Sequence, residues 1–274
     1  MGPAESIRAA VAQVSRLREQ ARLRPELGLA VAGIKQFQSQ RFAGTYADLA
    51  LDPRYRAATR FFLEELYGEA SYVERDAQFS RVAGALQRLL PKPAVASAVA
   101  LAQLHALSER LDHAMGEAWL TSPAAPLIER PQPWLRQAPR GGARKLGSGP
   151  AFSCDETVRY VHAWRSVGRR AERESQLRAV LGIGNAIDGL TRTCGLRTIL
   201  MMMRGPAFAA GLGALQGFLE SGFDTFADMG KHRLGAQSFL AVVEERESHL
   251  ISALFDADFD TSCGKLDHDL HAAP

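Results

Sequence analysis

Apolar residues along the chain recur at three- and four-residue spacing, the pattern of helices with one buried face. Runs that alternate Val, Ile or Thr with polar residues between turn pairs are nearly absent, so strands are not expected. A first helix is predicted over Ala4 to Arg24, closed by Pro25, and a second over Glu26 to Phe42. A short turn, Tyr46 to Leu51, follows Gly44 and Thr45. Asp52 and Pro53 then read as the N-cap and first position of a helix over Arg54 to Tyr67, with Gly68 placed to end it. Ser71 with Glu74 makes a capping-box pattern and opens a helix to Leu90, stopped by Pro91. Pro93 starts the next, to Leu120, with Leu101, Leu104, Leu111 and Met115 as its apolar stripe.

Thr121 to Gly149 breaks the pattern. It holds five prolines and four glycines, and from Arg130 to Lys145 it carries only basic charge. A second capping box, Ser153 with Glu156, opens a long polar helix that continues toward Leu190. Leu196 to Arg204 reads as a short helix, Pro206 as the start of another ending near Gly230, and Gly235 to Phe255 as the last. The expectation is an all-α protein, a multi-helix bundle of about eight helices. Its parts are an N-terminal half over 1–120, a Pro/Gly-rich basic linker over 121–152, a C-terminal half over 153–256, and a flexible acidic, His-bearing tail over 257–274. The halves can pack as two domains or as one.

Composition narrows the class. Apolar residues make up 46% and charged residues 23% of 274, which supports a packed core and excludes global disorder. A net charge of +3 steers polyanions weakly. Cys154, Cys194 and Cys263 are odd in number and far apart, which argues against a disulfide framework or a zinc ribbon. The N-terminus has no continuous apolar block. The apolar stretch Leu196 to Leu215 carries Arg197 and Arg204, which would be costly in lipid. A cytoplasmic protein without membrane contact is expected.

The string Phe61-Phe62-Leu63-Glu64-Glu65-Leu66-Tyr67 resembles the signature of the bacterial FFLEELY-motif proteins. Its surroundings are similar too: Gln40-Arg41-Phe42 and Thr45-Tyr46-Ala47-Asp48-Leu49 before it, Glu74-Arg75-Asp76 after it, and Gly217-Phe218-Leu219-Glu220 further on. The likeness spans about Gln36 to Phe255. It implies an uncharacterised family with no established activity or cofactor, so no functional residue transfers with it.

Candidate chemistry is sparse. His105, Glu109 and Asp112 stand at helical offsets of 0, 4 and 7, on one face, and could hold a metal or exchange protons. A solvated flank with helix salt bridges explains them as well. Tyr46, Asp48, Arg60, Glu64, Tyr67, Arg75 and Asp76 could form a buried network that sets helix register, or line a ligand pocket. Glu244 to His249 lacks the Glu-x-x-His spacing of di-iron bundles, because Arg246 stands where the Glu belongs. His162, His249 and His105 are the histidines a haem reading would use. Asp256, Asp258 and Asp260 imitate the start of a calcium loop, but Thr261 replaces its glycine. Gly182-Ile183-Gly184 lacks the third glycine and the preceding strand of a dinucleotide fingerprint. Six arginines from Arg159 to Arg178 are interrupted by Glu172 and Glu174, a solvated face rather than a nucleic-acid stripe. Met201 to Met203 suit core packing, or an adaptable surface. No cofactor or metal is expected. The leading functional expectation is a non-enzymatic helical protein that binds a protein partner or a small ligand. A haem- or metal-binding enzyme or sensor, and a nucleic-acid-binding regulator, are the alternatives.

Overall fold

A computed structural model describes residues 1–66, 72–89, 92–122, 152–232 and 235–272. These residues form twelve α-helices and one π-helix, with no strand among them. The helices are α1 (Pro3–Leu23), α2 (Pro25–Thr45), α3 (Ala47–Leu51), α4 (Arg56–Phe61), α5 (Tyr72–Leu89), α6 (Lys92–Thr121), α7 (Cys154–Val167), α8 (Arg170–Thr191), α9 (Leu196–Ala209), α10 (Gly213–Met229), α11 (Gly235–Asp256) and α12 (Phe259–His271). The π-helix, Phe62–Leu66, continues α4. None of the described helices is long and apolar enough to cross a membrane.

Local rules set most of the ends. Pro25 opens α2 at its first turn. Ser153 and Glu156 form the reciprocal capping box at the start of α7. Four expectations are corrected. The predicted Arg54–Tyr67 helix starts only at Arg56, because Asp52 holds a turn: its Oδ1 accepts from the Arg54 amide and its carbonyl from the Tyr55 and Arg56 amides. The long polar helix after Ser153 breaks at Gly168 and Arg169, both with positive φ, and the glycine takes that conformation without a Cβ penalty. Pro206 does not start a helix. It lies inside α9, and the chain turns only after Ala209. Within the tail expected over 257–274, residues 259–271 form α12. Asp258 accepts from the Thr261 amide, caps α12, and lets Cys263, Leu266 and Leu270 be buried. The capping box at Ser71, the stops at Gly68, Leu90 and Pro91, and nearly all of the basic linker lie outside the described residues.

The chain divides into two compact units. The first comprises Met1–Ser15, Leu49–Ser108 and Ser175–Glu245; the second comprises Arg16–Asp48, Glu109–Glu174 and Arg246–Pro274. They do not follow the boundary expected at 121–152, for each gathers segments from both sides of it. Long-range helix pairing is the cause: α10 packs on α4 and α5, and α12 on α2 and α7.

In the first unit, Ile7, Ala10 and Val14 of α1 meet Phe79 and Ala83 of α5, Ala102 and Ala106 of α6, and Leu215 of α10. Gln78 reaches from α5 to the start of α10 and accepts from the Leu215 amide at 2.8 Å. The N-cap residue of α10 is Leu212, which has no side-chain acceptor, so Gln78 supplies the cap from another helix. The glycines read against a dinucleotide fingerprint lie in α8, where Gly184 faces Leu240.

In the second unit, Leu27, Ile34 and Phe37 of α2, Leu111 and Met115 of α6, Val161 of α7, Leu254 of α11 and Leu266 of α12 are buried. Phe37 stacks on Tyr160 with ring centroids 4.1 Å apart. Thr157 donates to Asp267 at 2.6 Å, tying α7 to α12. Arg165 donates to the Leu254 and Ala257 carbonyls and to Ser262 Oγ, which fastens the turn between α11 and α12.

Candidate functional site

The aromatic start of the heptapeptide, Phe61 and Phe62, is a packing element. Phe61 stacks on Phe218 at 5.7 Å, and Phe62 meets Phe239 edge-on at 5.5 Å. Tyr55 lies against the other flank of Phe239 at 5.8 Å. A Cβ at position 222 would stand 3.2 Å from the Phe61 ring, so a side chain there would press on the stack. Arg60 and Glu64 are exposed and pair with each other at 2.8 Å. Tyr67 lies outside the described residues.

Three further candidates, Arg75, Asp76 and His105, complete the first unit. Arg75 is buried, its guanidinium 4.3 Å from the Phe218 ring centre. Asp76 is buried beside His105, 3.0 Å from its Nε2.

The second unit holds the remaining four candidates in two groups. Tyr46 is fully buried, and its hydroxyl donates to Glu247 at 3.0 Å. The same carboxylate takes the buried Arg41 guanidinium. Asp48 is exposed and is held in a fork by Arg246 at 2.7 and 2.8 Å. In the other group, Glu109 is buried and takes Lys35 at 2.6 Å, with Arg18 at 3.6 Å. Asp112 is buried one turn further along α6 and accepts from Gln38 at 3.1 Å. Among the described residues, no three His, Cys, Asp or Glu side chains gather as a metal site. His162 and His249, the other histidines of a haem reading, are exposed, and His162 rests on Phe259.

Burial raises the Asp112 carboxyl above its ordinary range, against the pull of Lys35 and Arg173. Glu109 adds to the rise, and Gln38 opposes it. The Tyr160 hydroxyl is raised for the same main reason, burial. The folded protein therefore keeps the Asp112 proton to a higher pH than the unfolded chain does. In that window folding takes up a proton, so stability falls as pH rises through it and levels off above the folded value. Asp112→Asn keeps the acceptor for Gln38 and has no charge to desolvate. Its stability is expected to exceed the wild type's at about pH 8 and to change less between about pH 4 and pH 8. Urea midpoints across that range check this, and parallel pH profiles for the two proteins would refute it.

The Arg-rich helices are tied into the fold. Arg170 pairs with Glu174 and Asp256, Arg169 with Glu172, and Arg173 stacks on Trp164 at 4.2 Å. Asp256 and Asp258, the imitation calcium loop, are respectively an ion-pair partner and a helix cap.

One surface contradicts the expected core role of the methionines. In α9, Met201 and Met202 are 56% and 69% exposed, Ile199 is 40% and Phe208 62%. Only Leu196 and Ala207 of this helix are buried. At 100° per residue, the half of α9 opposite the buried Leu196 and Ala207 carries Phe208, Met201, Gly205, Thr198, Ala209, Met202 and Pro206, with the exposed Arg197 at its edge. Its arginines are drawn to α10: Arg197 to Asp224 at 3.0 Å, and Arg204 to both oxygens of Glu220. The continuous run Ile199 to Met203 has no amphipathic period, so its sequence could not show which side faces outward.

A family model described as Domain of unknown function (DUF8198) matches residues 17–138 and 142–261. The chain belongs to this uncharacterised family. No curated protein and no solved structure shows significant similarity to it.

Proposed function

We propose that the protein is a non-enzymatic, helical interaction protein that takes a protein partner on the outward face of α9. The observation that supports this is the exposed apolar stripe of that helix, bordered by Arg197 and Arg204. Three large side chains there are more than half exposed. Contiguous exposed apolar surface of this kind marks interaction sites. Methionine is flexible and polarisable, and adapts to a partner's contours. The partner that fits is a protein with an uncharged apolar groove, into which α9 lies as a helix. A membrane-surface helix would need a basic flank, and here Arg197 and Arg204 are held by Asp224 and Glu220. On this reading the protein works in the bacterial cytoplasm, where its exposed thiols at Cys154 and Cys194 stay reduced, and the FFLEELY string is a structural signature of its family.

A photo-crosslinking residue at Met202, in cells of the native host, tests the proposal. The captured protein is then purified and titrated against the wild-type chain and Met202→Glu. The expected result is direct binding that the glutamate weakens about tenfold or more, a carboxylate being costly to bury against apolar surface. Cross-links only to a second copy of the chain, only to lipid, or an affinity unchanged by Met202→Glu would each overturn it.

A further inference from the structure

Among the described residues, the buried Arg159 beside the end of α6 has no ion-pair partner. Arg159 projects from α7, and its Nη2 donates to the Trp119 carbonyl at 3.2 Å. Its guanidinium lies 4.7 Å from the Trp119 ring centre. The Ser122 amide reaches the same carbonyl oxygen at 3.5 Å. Arginine and serine thus converge on one atom.

Two polar groups of these residues have no hydrogen-bond partner among the described residues: Nε of Arg159 and Oγ of Ser122. Both residues are at least nine-tenths buried. Among the described residues, no carboxylate pairs with Arg159. The nearby Glu156 attracts its charge, but that carboxylate is engaged by Ser153, accepting from its amide at 2.8 Å and its hydroxyl at 3.0 Å. Burial accordingly pulls the guanidinium below its ordinary pKa. A guanidinium stays charged in proteins, and a buried unpaired charge is costly.

We infer that Arg159, Ser122 and the Trp119 ring form a binding site for a small oxyanion, a carboxylate or a phosphoryl group. The chemistry of the free groups sets this class. A guanidinium N–H and a hydroxyl both donate, so the missing partner accepts. The buried positive charge of the guanidinium favours an anion as that partner. Planar guanidinium edges match carboxylate and phosphate oxygens. Trp119 covers one face of the guanidinium, and Nε on its edge is the donor left for the ligand. This site is separate from the α9 surface, and neither proposal depends on the other.

The probes are inorganic phosphate and acetate, titrated at constant ionic strength into the full chain labelled with ¹⁵N-arginine. The Arg159 Nε–H resonance, identified by its loss in Arg159→Lys, is expected to move and saturate. Ser122→Ala is expected to weaken that binding severalfold, as loss of one hydrogen bond to a charged group does. Saturation by phosphate alone assigns a phosphoryl ligand; by acetate alone, a carboxylate. An unmoved Arg159 signal with both probes overturns the inference, and so does an affinity that Ser122→Ala leaves unchanged. If Arg159→Lys does not fold, the resonance is assigned through the backbone and Ser122→Ala carries the test.

Discussion

Phe62→Ala is expected to lower the unfolding free energy by about 3–5 kcal/mol, the range for truncating a buried phenylalanine. Phe62 is buried at the first position of the π-helix and meets Phe239 of α11 edge-on. Tyr55 packs on that same ring, so the cavity left by the truncation would open between side chains already fixed by other contacts. Glu64, two residues on, is exposed and, among the described residues, makes the surface pair with Arg60. Pairs of that kind contribute about 0.3–0.5 kcal/mol, so Glu64→Ala is expected to move the urea midpoint little. The contrast separates the halves of the heptapeptide: its aromatic start packs, and its first glutamate faces solvent. Equal small losses for the two variants would show that the aromatic residues are not packed as described.

Glu247→Ala is the second large effect, an expected loss of about 3–5 kcal/mol, as for removing one partner of a buried ion pair. Glu247 takes both the buried Arg41 guanidinium and the hydroxyl of the fully buried Tyr46. Truncation removes a carboxylate from a largely buried charge, and an acceptor from a buried phenol. Asp48→Ala provides the comparison in the same unit. Its fork with Arg246 is mostly exposed, so its loss is expected to stay below about 1 kcal/mol. Chemical denaturation of the three proteins side by side is the measurement. A Glu247→Ala cost as small as that of Asp48→Ala would mean that Arg41 is solvated in the folded protein.

The helices were legible because their signals are local. Pro25 at the start of α2 and Ser153 with Glu156 at the start of α7 act through groups within one turn of the chain. Where a competing local geometry won, the expectation failed. Asp52 closed a turn before α4, Gly168 and Arg169 took positive φ, and Pro206 was accommodated inside α9. The acidic residues after Asp256 looked like a mobile tail because their apolar partners, Cys263, Leu266 and Leu270, are few and widely spaced. The candidate polar residues were recognised as types but not in their pairings. Asp76 with His105, and Tyr46 with Glu247, join positions 29 and 201 residues apart. The exposed face of α9 was misread, and the orphaned groups of Arg159 and Ser122 were not foreseen, since burial without a partner is a property of the folded surroundings.

The sequence by itself determined the all-α class, most helix boundaries and the soundness of the core, because hydrophobic period, caps and prolines act over a few residues. Only the tertiary structure decided which helices pair, how the chain divides into its two units, which charges lose water, and which apolar residues stay exposed. Those outcomes depend on contacts between residues far apart in the chain, and neither period nor composition encodes them.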